Sequence, residues 1–120
     1  MLTAIELGRG GVVCKYAADT NLRDVLDAIR QYLTHPNCTE FKYVIHDFSG
    51  VKSFTFSDAE FSRLASYALE HRQEGDQAPR CAITNDDTVK RVLDLYAELT
   101  GRDWQYFTSM ESACNWARSR

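Results

Sequence analysis

Residues 80–107 decide the fold and read RCAITNDDTVKRVLDLYAELTGRDWQYF. The stretch begins and ends with short apolar segments that are typical of β-strands. Between them, apolar side chains recur at the spacing of one helix face, at Val89, Val92, Leu93 and Tyr96. Asp86 or Asp87 can cap the start of that helix, and Gly101 stands where a left-handed C-cap is wanted. A strand, a helix and a strand in succession predict two parallel strands joined by a right-handed crossover.

The same alternation extends to both sides of this unit. The remaining predicted elements are a hairpin around Gly8–Gly11, a helix over 22–33, a strand over 41–47, a helix from Ser57 and a last helix from Thr108 or Ser109. Asp19 or Thr20 can cap the first of these helices. The predicted order is therefore ββαβαβαβα, an α/β fold whose sheet of about five strands is mainly parallel, with helices packed on it.

The composition indicates a single domain over residues 1–120, with a mass of 13.7 kDa. The chain is 44% hydrophobic and 26% charged, which favours a packed interior over disorder. The chain has 14 basic and 17 acidic side chains, so its formal charge is −3. We therefore expect no bulk positive field that would attract nucleic acid. No leader peptide and no apolar run of membrane-spanning length are visible. We therefore expect a cytoplasmic protein without a membrane span.

The cysteines do not indicate a metal site. Cys14, Cys38, Cys81 and Cys114 lie far apart, and none has the spacing of zinc ligands. Cys14 and Cys81 fall inside strand-like apolar runs, so we expect buried thiols. Asn85–Asp87 offers oxygen ligands, but three consecutive residues converge poorly on a cation and one of them is needed as a helix cap. The sequence predicts no metal and no cofactor.

The histidines give no recognisable catalytic group. His46 and Asp47 stand side by side at a strand end, where a carboxylate could orient an imidazole. Adjacent strand residues point to opposite faces, however, so we expect the two side chains to diverge. His35 and His71 lie beside predicted helix C-termini, where they favourably meet the negative end of the dipole. We predict no catalytic residue, and an enzyme is the least favoured of three hypotheses.

Residues 44–58, VIHDFSGVKSFTFSD, resemble the signature of STAS domains, the family of anti-sigma-factor antagonists and anion-transporter tails. The apolar strand ending in Asp47 and the turn Ser49–Val51 match the family pattern. Ser57 falls where the regulatory phosphoacceptor serine lies, so the resemblance implies that role for Ser57. The family has an acidic residue, a serine and a glycine where this chain has Thr55, Phe56 and Asp58.

The chain as a whole resembles the SpoIIAA-like group of stand-alone bacterial proteins, which are described as having a STAS or CRAL-TRIO type of fold. The likeness lies in the opening hairpin, in a strand running into a long helix over 80–99, and in the ending over 106–116. It implies a single SpoIIAA/STAS-like domain. Because most members lack an assigned activity, the resemblance indicates architecture before function.

Aromatic residues are concentrated in the loop after the third strand. Phe48, Val51, Phe54 and Phe56 stand close together in a segment that should lie at the surface. They could fold over the sheet edge and complete the core, or they could line a pocket or a contact patch. Both interpretations stay open at this stage.

Ser57 also has two interpretations. Ser57 and Glu60 have the spacing of a capping box, which accounts for both residues without any chemistry. A phosphate on Ser57 would be favoured by the helix dipole, but the Asp58 carboxylate would repel it.

Two binding hypotheses follow. In the first, the protein is a non-enzymatic regulatory or binding module that docks a protein partner, or a second copy in a homodimer, through the loop after the third strand. The candidate residues of this loop are Asp47, Phe48, Ser49, Phe54, Phe56 and Asp58. In the second, the protein carries a small hydrophobic or anionic ligand at the carboxyl ends of the strands, where ligands of open α/β sheets bind. The candidate residues at that edge, besides Asp47 and Ser49, are Thr84, Asn85, Thr108 and Ser109.

Overall fold

A computed structural model describes residues 2–8, 10–36, 40–71, 78–101 and 104–119 of the protein. Its elements, in chain order, are β1 (Leu2–Gly8), β2 (Gly11–Tyr16), α1 (Leu22–Leu33), β3 (Tyr43–Asp47), α2 (Asp58–His71), β4 (Arg80–Ile83), α3 (Asp87–Thr100), β5 (Trp104–Phe107) and α4 (Met110–Arg118).

The strands form one sheet in the spatial order β1-β2-β3-β4-β5. β1 is antiparallel to β2, and the strands from β2 to β5 run parallel, with Val12 opposite Val44 and Ile45 opposite Cys81. The α/β class predicted from the sequence is confirmed. Each crossover steps to the next strand in the same direction, so right-handed connections put α1, α2 and α3 on one face of the sheet.

The larger core lies between the sheet and these three helices. It is built from Val12, Val44 and Ala82 on the strands and from Leu22, Leu26, Leu64, Val89, Val92 and Leu93 on the helices, all of them buried. A smaller core lies on the opposite face. There Ala113 and Ala117 of α4 pack on Ile45, Cys81 and Ile83. The face covered by α1, α2 and α3 therefore encloses most of the buried side chains.

Helix ends follow the capping rules, with one correction. Asp86 caps α3 through a hydrogen bond from the Val89 amide, and Gly101 ends that helix with a left-handed φ of 71°, as predicted. The cap of α1 is Asn21, whose side chain accepts from the Asp24 amide, and not Asp19 or Thr20. The Thr20 hydroxyl is used elsewhere, because it donates to the Ala17 carbonyl at 2.7 Å.

Candidate functional site

The carboxyl ends of β3, β4 and β5 meet at one edge of the sheet. Backbone pairing continues past the strands there, because the Phe48 amide donates to the Ile83 carbonyl at 2.9 Å and the Thr84 amide donates to Phe107 at 3.0 Å. A cleft of about 250 Å³ opens at this edge and is called the edge cleft below. Its lining consists of Phe48, Ser49, Val51, Ile83, Thr84, Asn85, Asp86 and Thr108.

Four residues that follow β4 and β5 were predicted to bind a ligand at this edge, and three of them, Thr84, Asn85 and Thr108, line the edge cleft. Thr84 is only 2% exposed, and its hydroxyl accepts from the Asp86 amide at 3.0 Å. Asn85 and Thr108 are exposed and lie on the rim. Ser109 is not among the lining residues, and its hydroxyl caps α4 by accepting from the Ser112 amide at 3.2 Å.

The segment 47–58, called the docking loop below, is held in place by backbone hydrogen bonds. The amides of Lys52 and Ser53 both donate to the Ala18 carbonyl, at 3.0 and 3.1 Å. The Leu22 amide donates to the Thr55 carbonyl at 3.1 Å, which ties the loop to the start of α1. These hydrogen bonds hold the docking loop across the end of the sheet, although residues 48–57 between β3 and α2 form no helix or strand.

A turn at the start of the docking loop explains where Asp47 points. Its Oδ1 accepts from the Ser49 amide at 2.9 Å, which is an Asx turn. The carboxylate is thus bound to the loop backbone, whereas His46 is fully enclosed in the core. The two side chains do not form an acid/base pair.

The aromatic residues of the docking loop divide between the core and the surface. Phe48 is 2% exposed and stacks on Tyr16 with ring centroids 4.6 Å apart. Phe54 is partly buried and meets Phe48 edge-on at 6.2 Å. Phe56 is 39% exposed and reaches the solvent. The core interpretation fits Phe48, and the surface interpretation fits Phe56.

The capping box at the start of α2 is confirmed. The Ser57 hydroxyl accepts from the Glu60 amide at 3.1 Å, and the Glu60 carboxylate accepts from the Ser57 amide at 2.9 Å. Ser57 and Asp58 are both exposed. Ser57 thus caps α2 with its hydroxyl while the residue is exposed to solvent.

The structure buries His46, which the sequence analysis placed at a strand end on the face opposite to Asp47. His46 is buried, its Nδ1 is hydrogen-bonded to the Tyr16 hydroxyl at 2.7 Å, and the Trp104 ring lies 5.1 Å away. Burial, and secondly the charge of Arg80, lower the pKa of His46 to about 3. The imidazole is therefore neutral at physiological pH.

Arg80 is a buried charged residue that the sequence analysis did not single out. It is 3% exposed, and its guanidinium lies 5.7 Å from the Trp104 ring and donates to the Tyr96 hydroxyl at 3.4 Å. In the sequence, only the position of Arg80 as the first residue of an otherwise apolar strand could have indicated its burial. Both His46 and Arg80 lie in the core, so neither belongs to the edge cleft.

The thiols follow the predicted pattern as far as the structure describes them. Cys14 and Cys81 are buried, as predicted, and burial raises the pKa of each to about 12. Cys114 is half-buried on α4. Cys38 lies outside the described residues.

Within the described ranges, no group of three or more His, Cys, Asp or Glu side chains is arranged to hold a metal ion. In the same part of the chain, none of the helices combines the length and the apolar character needed to cross a bilayer. A scan against models of known protein families and a search of curated proteins both find no match for this chain.

Proposed function

We propose that the protein is a non-enzymatic binding module of the SpoIIAA/STAS-like type, which docks a protein partner through the docking loop and the start of α2. The observation that carries the proposal is the exposure of Phe56 on a loop tethered by backbone hydrogen bonds. A preorganised loop loses little conformational entropy on binding, so an exposed aromatic ring on it contributes more of its contact energy to affinity.

The surroundings of Phe56 fit this role. Lys52, Ser53, Ser57 and Asp58 are polar, exposed and close to Phe56 in the sequence. A central aromatic contact within a polar rim is the usual anatomy of a protein interface. The neutral, enclosed His46 and the engagement of Asp47 in an Asx turn support a role in binding over one in catalysis.

Affinity capture with matched variants tests this docking surface. Phe56 and Leu95 are equally exposed, at 39% and 40%, but Leu95 lies on α3, away from the docking loop. We expect a protein that wild type recovers repeatedly from native lysate to be retained by Leu95→Ser and lost with Phe56→Ser. Loss of an aromatic contact at an interface centre weakens binding at least about tenfold. Equal recovery by the two variants would contradict the proposal.

Regulation by phosphate on Ser57 belongs to the same proposal, and the same assay tests it. Asp, Asn and Ser are comparable N-caps, so Ser57→Asp and Ser57→Asn both preserve the start of α2. Only the aspartate adds the negative charge of a phosphate mimic. We expect Ser57→Asp to change partner recovery and Ser57→Asn to leave it unchanged. Identical recovery by both variants would remove Ser57 from the proposal.

A second function, carriage of a small ligand, is favoured by the edge cleft. The apolar residues Phe48, Val51 and Ile83 line this hollow together with Thr84 and Thr108. Small-molecule sites commonly combine an apolar lining with a few polar groups that fix the ligand. The volume of about 250 Å³ suits a ligand below drug size.

Native mass spectrometry of the gently purified protein tests the carrier function. Ser49 lines the edge cleft, whereas Ser53 is an exposed residue of the same loop outside it. We expect a bound mass on wild type and on Ser53→Trp, and the bare mass on Ser49→Trp, because an indole would fill the cleft. A bare mass for wild type would reject the carrier function and leave the docking proposal standing.

A further inference from the structure

A groove that no part of the proposed function uses runs between α1 and α2. It consists of two adjoining hollows of about 260 and 310 Å³, and both are lined by Arg30 and Arg63. Arg23 lines the first hollow, together with the apolar side chain of Leu26. We call this feature the arginine groove.

Three exposed arginines from two helices line the first hollow. Arg23 and Arg30 are both on α1, about two helical turns apart, and therefore share a face. Arg63 comes from α2 on the other side of the groove. The guanidinium of Arg30 lies 5.2 Å from the centroid of the Tyr67 ring, and this contact orients it.

In the first hollow the acidic residues compensate these charges only in part, whereas Glu70 adds a third carboxylate in the second hollow. Asp27 and Glu60 line the first hollow, so three positive side chains face two negative ones there. The Glu60 carboxylate already accepts from the Ser57 amide at 2.9 Å in the capping box. In a chain whose formal charge is −3, this hollow is a local excess of positive charge.

We propose that the arginine groove binds the phosphate group of a small organic phosphomonoester. Planar guanidiniums match phosphate oxygens through paired hydrogen bonds, which makes clustered arginines suited to that group. The phosphate lies in the first hollow among Arg23, Arg30 and Arg63. The organic part lies along the second hollow, against the Tyr67 ring. The site is separate from the docking loop, and its test does not depend on that loop.

Calorimetric titration at low ionic strength with inorganic phosphate and with phenyl phosphate tests the site. We expect both to bind, phenyl phosphate more tightly because its ring contacts Tyr67. Arg63→Gln should weaken phenyl phosphate binding about tenfold or more, since a charge-assisted pair is lost. Asp27→Asn should strengthen binding severalfold, because it removes a carboxylate that faces the phosphate.

The matched control is Arg91→Gln, which removes an exposed arginine from α3, outside the groove. It should leave both affinities unchanged, and circular dichroism should show every variant folded. Absence of binding to wild type would overturn the proposal, as would equal weakening by Arg91→Gln and Arg63→Gln. If Asp27→Asn does not raise the affinity, the phosphate does not bind in the first hollow. Equal affinity for the two probes would overturn the assignment of an organic ester.

Discussion

Replacing Phe48 by alanine is expected to lower the free energy of unfolding by about 3–5 kcal/mol, as for other large-to-small substitutions of buried aromatic residues. The ring is 2% exposed and stacks on Tyr16 at 4.6 Å. It also lies 6.2 Å from His46 and 6.2 Å from Phe54, so its removal opens a cavity between the sheet and the docking loop. Urea unfolding gives the change, provided that the m-value stays that of wild type.

Phe56→Ala is the control, because it removes the same ring from the same loop. With 39% of its surface exposed, Phe56 should contribute about 1 kcal/mol or less. A large loss for Phe48→Ala and a small one for Phe56→Ala would assign the first ring to the core and the second to the surface. Similar losses for both would mean that the whole loop is core, and the proposed docking surface would then be wrong.

The α/β class could be predicted because its signals are local. The helix stripe at 89–96 and its boundaries at Asp86 and Gly101 are all contained in one stretch of sequence, and the structure has them as predicted. The capping box of Ser57 and Glu60 depends on a spacing of three residues and is equally local. Features of this kind need no knowledge of distant partners.

The cap of α1 could not be predicted with the same certainty, because a distant contact selects it. Asp19, Thr20 and Asn21 are all residues that cap helices well. Asn21 forms an isolated bridge with Thr55, next to the hydrogen bond from the Leu22 amide to the Thr55 carbonyl. That contact fixes where the helix begins, and it joins residues far apart in sequence.

The division of the aromatic loop has a similar cause. Local sequence shows only that Phe48, Phe54 and Phe56 are close together in the chain. Alternation did carry a signal for the first of them, since Val44, His46 and Phe48 are two residues apart and so share one face of the strand and its extension. The path of the later residues depends on hydrogen bonds to the Ala18 carbonyl, which no local pattern shows.

The same alternation places His46 in a buried, aromatic environment. Tyr16 of β2, Tyr32 of α1 and Trp104 of β5 surround the imidazole, with ring centroids between 5.1 and 6.0 Å away. The positive charge of Arg80 adds to the effect of burial, and together they lower the pKa of His46 to about 3 from an ordinary value of 6.5. A proton therefore binds the unfolded chain more readily than the folded protein.

This difference predicts a loss of stability in mild acid. Because the pKa is lower in the folded state, the contribution of His46 is fully present above pH 6.5 and is lost as the pH falls towards about 3. The loss amounts to about 2 kcal/mol between pH 7 and pH 5 and roughly 3–5 kcal/mol over the whole window. Urea unfolding at a series of pH values measures it, and the interval from pH 7 to 5 lies above the range in which ordinary carboxylates titrate.

His46→Gln provides the comparison, since glutamine keeps a polar group near the Tyr16 hydroxyl and cannot take up a proton. The variant should be less stable than wild type at pH 7, but the stability of the two proteins should converge as the pH falls to 5. Parallel stability curves for wild type and variant over this interval would show that His46 titrates alike in the folded and unfolded states. An imidazole enclosed between the sheet and α1, as the structure has it, is incompatible with that result, because its protonation would leave a second positive charge buried beside Arg80.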